Sequence, residues 1–188
     1  MSKDFSELIL ALNTSSDKAA EKVIAKLVKI GKPVVGTLIE AAADMSQPRI
    51  RKWSLQALGA IGDKSAGPVL IKAFKDSRMT VKLHAVRGLG CMKYKPATKA
   101  LRALLKDPSG GIRINVIDAL VEIKDRSSNS AIIRSLSDEQ WYVRQHAAMA
   151  CEKLNIVSAV PKLKKLMKIE KRKAVLNAAA IALKSLAK

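Results

Sequence analysis

The stretch Ala57-Leu58-Gly59-Ala60-Ile61-Gly62-Asp63 returns, altered but in register, every 31 residues. One step on stands Gly88-Leu89-Gly90-Cys91-Met92, then Ala119-Leu120-Val121-Glu122-Ile123, then Ala150-Cys151-Glu152-Lys153-Leu154; one step back stands Lys26-Leu27-Val28-Lys29-Ile30-Gly31. The columns Leu27, Leu58, Leu89, Leu120, Cys151 and Ile30, Ile61, Met92, Ile123, Leu154 are apolar throughout. Ile50-Arg51, Val81-Lys82, Ile112-Arg113 and Val143-Arg144 keep the same step, as do Asp76, Asp107 and Asp138, with Asp44 one residue out. Ile39, Leu70, Leu101, Ile132 and Leu163 form another such column, and the last unit slips by two, Lys173 lying 29 after Arg144. A fixed period held in several independent columns is the signature of a repeat architecture.

Each period divides into two helical patterns. A leading pattern runs, for example, from Pro96 to Lys106, with Ala100, Leu101, Leu104 and Leu105 on one face. A trailing pattern runs from Ile112 to Lys124, with Ile112, Val116, Ala119, Leu120 and Ile123 at helical spacing. Turn signals separate them: Asp107-Pro108-Ser109-Gly110-Gly111, Gln47-Pro48, Gly62-Asp63-Lys64-Ser65. Pro33, Pro68 and Pro161 fall in or near the first turn of a leading helix, where proline is tolerated. The small column Ala57, Gly88, Ala119, Ala150 predicts close helix–helix approach. One such pair cannot bury its apolar face alone, but stacked neighbours can. The expected fold is all-α, an α-α superhelix of five to six helical hairpins. Trailing helices are expected at about 17–30, 48–61, 79–93, 111–124, 141–154 and 171–187, with a helix at about 3–13 before them. No linker breaks the register. Residues 1–188 therefore read as one domain, with an N-terminal cap helix in 1–16 and a C-terminal cap repeat in 158–188.

Composition agrees. Of 188 residues 48% are hydrophobic, enough for a core, yet only six are aromatic while 27 are alanine. A core of Ala, Leu, Ile and Val favours close-packed helices over a sheet sandwich. Cys91 and Cys151 lack CxxC spacing, so neither a disulfide framework nor a zinc site is expected. No apolar run approaches the roughly 20 residues of a membrane span, and the early run Leu8 to Leu12 is too short for a signal sequence. A cytoplasmic monomer with no metal and no cofactor is the expectation.

At these residues the chain resembles the short HEAT-like repeat first seen in phycobilisome lyases, of armadillo-type fold. The matching segments are Ala100-Leu101, Leu105-Lys106-Asp107 with Ile112-Arg113, Ala119-Leu120 and Ile123; also Ile50-Arg51 with Ala57 to Gly62, and Val143-Arg144-Gln145-His146-Ala147. The resemblance covers nearly all of residues 17–188. It implies a HEAT/armadillo-like solenoid, and it implies that the periodic Asp and Arg form a ladder between adjacent repeats. Asp76, Lys82, Asp107, Arg113, Asp138 and Arg144 are then structural, although the basic column (Arg51 and Lys173 included) also has the look of a phosphate track.

The chain carries 35 basic and 16 acidic residues, a net charge of +19, far outside the roughly 2–8 of a small soluble domain. Such a surplus points to an acidic partner. It is local: residues 63–109 and residues 158–188 each carry +8, and the stretches between and before them are nearly neutral. Within those blocks the bases favour leading helices and their loops: Lys72, Lys75, Lys99, Arg102, Lys106, Lys162, Lys164, Lys165, Lys168 and Arg172. Lys165 and Lys168 occupy the columns of Lys72 and Lys75, three repeats on. These residues are the candidates for sequence-blind phosphate contact with DNA or RNA; a solvated lysine-rich face is the plainer alternative. The scarcity of paired aromatics argues against stacking of single-stranded bases.

Trailing helices in solenoids of this type usually line the groove that binds partners. The exposed ridge is expected through Arg49, Trp53, His84, Arg87, Asn115, Tyr142 and His146, with Gln56, Asp118, Glu122, Met149 and Lys153 beside them. Few aromatics among mixed charges suit a protein-binding groove with local anchors; ordinary packing is the alternative. No catalytic set stands out. The iron ligands of the HEAT-like deoxyhypusine hydroxylases are missing, since His84 and His146 precede Ala85 and Ala147 rather than glutamates. The HEAT-like alkylpurine DNA glycosylases offer an alternative that would use Asp118 or Glu122 beside Trp53, Trp141 and Tyr142. The favoured expectation is a noncatalytic scaffold that binds a protein through its groove, with basic blocks for nucleic acid or another polyanion.

Overall fold

A computed structural model describes residues 4–187. Among them the regular structure consists of twelve α-helices and short 3-10 turns, with no strand. The chain forms two compact units, Met1–Ala97 and Thr98–Lys188. The first contains α1 (Ser6–Leu10), α2 (Asp17–Ile30), α3 (Val35–Ala43), α4 (Pro48–Ile61), α5 (Gly67–Lys72) and α6 (Met79–Cys91). The second contains α7 (Thr98–Ala103), α8 (Gly110–Ile123), α9 (Asn129–Ser135), α10 (Trp141–Lys153), α11 (Val160–Ile169) and α12 (Lys173–Leu186). Odd-numbered helices lead and even-numbered helices trail, so each unit holds three hairpins. The trailing helices fall where the 31-residue period places them, within two residues. The first leading helix is shorter than the 3–13 expected; of that range, residue 3 lies outside the described residues.

The periodic apolar columns supply much of the core, though Ile30, Ile39, Ile61 and Leu154 are only half-buried. Leu27, Leu58, Leu89, Leu120 and Cys151 are fully buried. In the first unit α4 packs against α2, α3 and α6; in the second α10 packs against α8, α9 and α12. The close approach predicted by the small column is real at Gly88, though its partner is Gly59: a Cβ built on Gly59 would lie 2.3 Å from Gly88 Cα. Any side chain there would push α4 off α6.

The turn between a leading and a trailing helix repeats one device. Oδ1 of Asp44, Asp76, Asp107 and Asp138 accepts the backbone N–H two residues on, at 2.9 Å in every case. This Asx turn closes the loop locally. Two of these aspartates, Asp76 and Asp138, also receive the arginine of the preceding repeat. Arg113 grips Asp138 with two parallel bonds, Nη2 to Oδ1 at 2.7 Å and Nε to Oδ2 at 2.9 Å. Arg51 Nε lies 3.0 Å from Asp76 Oδ2, an ionic contact without an aligned hydrogen bond. Each of these arginines also donates Nη1 back to its own loop, Arg51 to Ala43 O at 3.1 Å and Arg113 to Asp107 O at 2.8 Å. Arg144 does the same to Asp138 O at 2.8 Å, while its Nε donates to Glu170 Oε2 at 2.6 Å.

Glu170 thus fills the acid's place in the last repeat. Its Oε1 accepts from Arg172 N at 3.0 Å, as the aspartates accept two residues on. The hydrogen bond from Arg144 holds its carboxyl well below the usual range, at about 2. One extra residue lengthens the last step to 32: Glu170 lies 32 after Asp138 and α12 starts 32 after α10, so Lys173, expected in the basic column at a step of 29, is the first residue of α12 and not the counterpart of Arg144. Lys82, in the same column as the arginines, is half-buried.

Candidate functional site

The trailing helices bring the expected groove residues to two places, one in each unit. In the first, Trp53 is not an exposed ridge residue, as the helical count predicts, but only 4% exposed. Its indole Nε1 donates to Thr14 O at 3.4 Å, its ring meets His84 edge-on at 5.2 Å between centroids, and Lys52 Nζ sits 3.9 Å above it. The loop before α2 supplies the lid that the ridge count did not foresee. Trp53 is therefore an anchor of the first unit and not a free recognition surface. Burial, together with Lys52 and Arg87, pushes His84 down to about 4, so it is neutral at physiological pH. Arg49 and Arg87 are exposed.

In the second unit the expected residues separate. Tyr142 is half-buried because it lies over Gly110, where a Cβ would meet its hydroxyl at 2.5 Å. Asn115 is half-buried too, its Nδ2 donating to Gly111 O at 2.7 Å. His146 does face an opening. It lines a hollow of 300 Å³ with Asp118, Val121, Glu122, Met149, Ala150 and Lys153. His146 Nδ1 is 3.0 Å from Asp118 Oδ1, and that carboxylate raises the imidazole's pKa. Asp118, Glu122, Met149 and Lys153 are exposed, Met149 to 37%. Trp141, 38% exposed, stacks edge-on against Tyr142 at the head of α10. Of the residues the glycosylase alternative would use, Asp118 is engaged by His146 and Trp53 and Tyr142 by packing, while Glu122 and Trp141 are exposed. No group of three or more metal-ligating side chains occurs among the described residues.

The basic residues of the leading helices are mostly on the surface. Lys72, Lys75, Lys99, Lys106, Lys164, Lys165, Lys168 and Arg172 are exposed, and Lys162 is half-buried. Arg102 is half-buried, and Nη1 bonds Ser127 O at 2.9 Å and Ser127 Oγ at 3.0 Å. Two residues escaped the sequence reading. Glu170 was hidden by the slipped register. Arg134, exposed on α9, lies 62 residues after Lys72 and 31 before Lys165, and so belongs to their column. The local net charge of its segment is near zero, which masked it. A cavity of 420 Å³ in the second unit is lined by the paired Arg144 and Glu170 with Leu136, Leu166, Ile169, Lys171 and Arg172.

No curated protein matches the chain in sequence. Among solved structures, the complex of CpcE and CpcF of phycocyanin lyase from Nostoc sp. PCC7120 is similar at a TM-score of 0.65 and 19% identity, over 98% of this chain and 95% of that one. The archaeal HEAT-like repeats protein from Thermococcus onnurineus NA1 is similar at 0.64 and 17%, over 98% of this chain and 80% of that one. A designed armadillo repeat protein in complex with the peptide (KR)4 is similar at 0.63 and 18%, over 98% and 100%. At such identities these likenesses speak for the fold alone. No helix among the described residues is long and apolar enough to cross a membrane. The family model for HEAT repeats matches residues 5–90, 67–132 and 98–184, which together span most of the chain. The chain belongs to the HEAT repeat family.

Proposed function

We propose that this chain is a noncatalytic binding scaffold, one domain over residues 1–188, whose trailing-helix surface in the second unit takes a segment of a protein partner. The observation that carries the reading is the hollow formed by Asp118, Glu122, His146, Met149 and Lys153. Both signs of charge surround an exposed methionine, a pliable apolar anchor within a polar rim. That a designed armadillo neighbour is in complex with a peptide adds support. Peptides selected from a random library on the folded chain test the proposal. Met149→Glu and Glu122→Lys are expected to weaken the selected peptides roughly tenfold or more, as loss of an interface anchor does. Peptides that bind but ignore both substitutions would overturn it.

The exposed lysines of the leading helices favour a second role, contact with a polyanion of the nucleic-acid kind. Affinity for a DNA duplex should fall steeply with salt. Reversing the charge of Lys72, Lys75, Lys165 and Lys168 together should flatten the slope of log K against log salt by about 3–4, near 0.9 for each phosphate no longer neutralised. Absence of duplex binding even at low salt would end this role.

A further inference from the structure

Between α7 and α9 of the second unit lies a hollow of 220 Å³ lined by Arg102, Leu105, Lys106, Ala131, Arg134, Ser135 and Asp138. We propose that it is a site for a single phosphate group of a nucleic-acid backbone. This rests on the polyanion role above and fixes one contact point for it.

Three cations converge on the hollow, from two different helical segments. Its one carboxylate, Asp138, does not offset them. Both of its oxygens are held by Arg113, and Oδ1 accepts Gln140 N as well. That leaves Arg102, Lys106 and Arg134 as the unbalanced charge. Arg102 is also fixed in place, since Nη1 makes two bonds to Ser127. Ser127 is in turn held by Asp125, to whose Oδ1 its hydroxyl donates at 2.8 Å. A guanidinium positioned in advance loses little freedom on binding, and its planar fork matches a phosphate. Lys106 and Arg134 are exposed and can swing in from the rim. The volume is below the roughly 300–1,000 Å³ of sites that enclose a whole small molecule, which suits one anionic group with the rest of the ligand outside. The rest of the lining is Leu105, Ala131 and Ser135, whose hydroxyl already donates to Ala131 O at 3.3 Å. Recognition there is blind to sequence.

Amide NMR shifts of the full chain, followed with inorganic phosphate and with a short DNA duplex at about 50 mM salt, test the site. Saturable shifts are expected at residues of α7 and α9 with both ligands. Arg134→Gln and Lys106→Gln, both surface changes that leave the Ser127 contact intact, should each weaken inorganic phosphate about tenfold or more, the worth of one bond to a charged group. Lys22→Gln, an equal charge loss on α2, should change nothing. Duplex binding that is untouched by Arg134→Gln and Lys106→Gln would overturn the site while leaving the general polyanion role standing. Absence of binding by both ligands would remove the role and the site together. Phosphate alone, with no duplex shift on α7 and α9, would also overturn the assignment to a nucleic-acid backbone.

Discussion

His84 and His146 stand in the same column of the repeat, 62 residues apart, and their surroundings send them opposite ways. His84 is packed against the Trp53 ring with Lys52 and Arg87 near, so its charged form is disfavoured and its pKa falls from 6.5 to about 4. His146 keeps Asp118 at 3.0 Å, which favours the charged form over the opposing effects of burial and Lys153 and raises its pKa above 6.5. Linkage fixes the consequences. The unfolded chain binds a proton at His84 more readily than the folded one, so this group takes stability away as pH falls from 6.5 towards 4. His146 does the reverse: its contribution is present below 6.5 and disappears as pH rises through its folded value. An NMR titration of the two imidazoles should therefore give one midpoint near 4 and one above 6.5. Asp118→Asn should bring the upper midpoint down towards 6.5 and leave the lower one in place. Two midpoints that both lie near 6.5 would contradict the packing described at Trp53 and the pair at Asp118. The two histidines also mark what the sequence can say at this scale. Their shared column is plain in the 31-residue register; that one is covered by a tryptophan and the other left open depends on the loop at Thr14, which no column records.

Helix ends obey the period more strictly than the residues at those ends. Gly31, Gly62, Lys93, Lys124 and Asn155 are 31 apart and all have positive φ, between 49° and 79°. At Lys124 the next N–H, Asp125, reaches back to Leu120 O at 3.1 Å; Tyr94 reaches Leu89 O at 3.0 Å, and Ile156 reaches Cys151 O at 2.8 Å. This is the Schellman closure, and its left-handed residue is normally glycine because a Cβ is strained there. Lys93→Gly and Lys124→Gly should each stabilise the protein by about 0.5–1 kcal/mol, the relief of left-handed strain less the extra freedom glycine gives the unfolded chain. Asn155→Gly should gain less, since asparagine tolerates this region. Urea midpoints read the effect, and a lower midpoint for either lysine variant refutes it. The stop signals at Gly31 and Gly62 are legible in the sequence. Those at Lys93 and Lys124 are not, because lysine carries no preference for the conformation; only the period points to them. Glu170 is the same lesson in charge: the turn needs an acceptor, the column supplies aspartate, and a glutamate one residue late meets the need from a position the register does not predict.

At the scale of the whole chain the surplus of +19 sets the balance of surface forces. The acids that are built into the fold, Asp76, Asp138 and Glu170, already face Arg51, Arg113 and Arg144. Pairing them removes equal numbers of both signs, so the excess stays whole and moves to the surface. The exposed attractions that could offset it are weak: Lys52 and Asp17 are 3.9 Å apart with the carboxylate largely in solvent, an arrangement worth about 0–1 kcal/mol. Repulsion among the surface bases therefore outweighs surface pairing, and salt relieves it. The screening length drops from about 30 Å at 0.01 M to about 8 Å at 0.15 M. Raising sodium chloride over that range should raise Tm by several degrees, at about 2–4 °C per kcal/mol for a chain of this size. A lower Tm in the higher salt would mean that surface pairs, not repulsion, dominate. Phosphate at matched ionic strength separates screening from binding. Screening depends on ionic strength alone, whereas a bound anion stabilises the folded state by mass action. Phosphate should therefore raise Tm beyond chloride, and Arg134→Gln should reduce only that excess, because the hollow at Arg102, Lys106 and Arg134 loses one of its three cations while the general charge hardly changes. Equal Tm values in the two salts would assign the whole effect to screening.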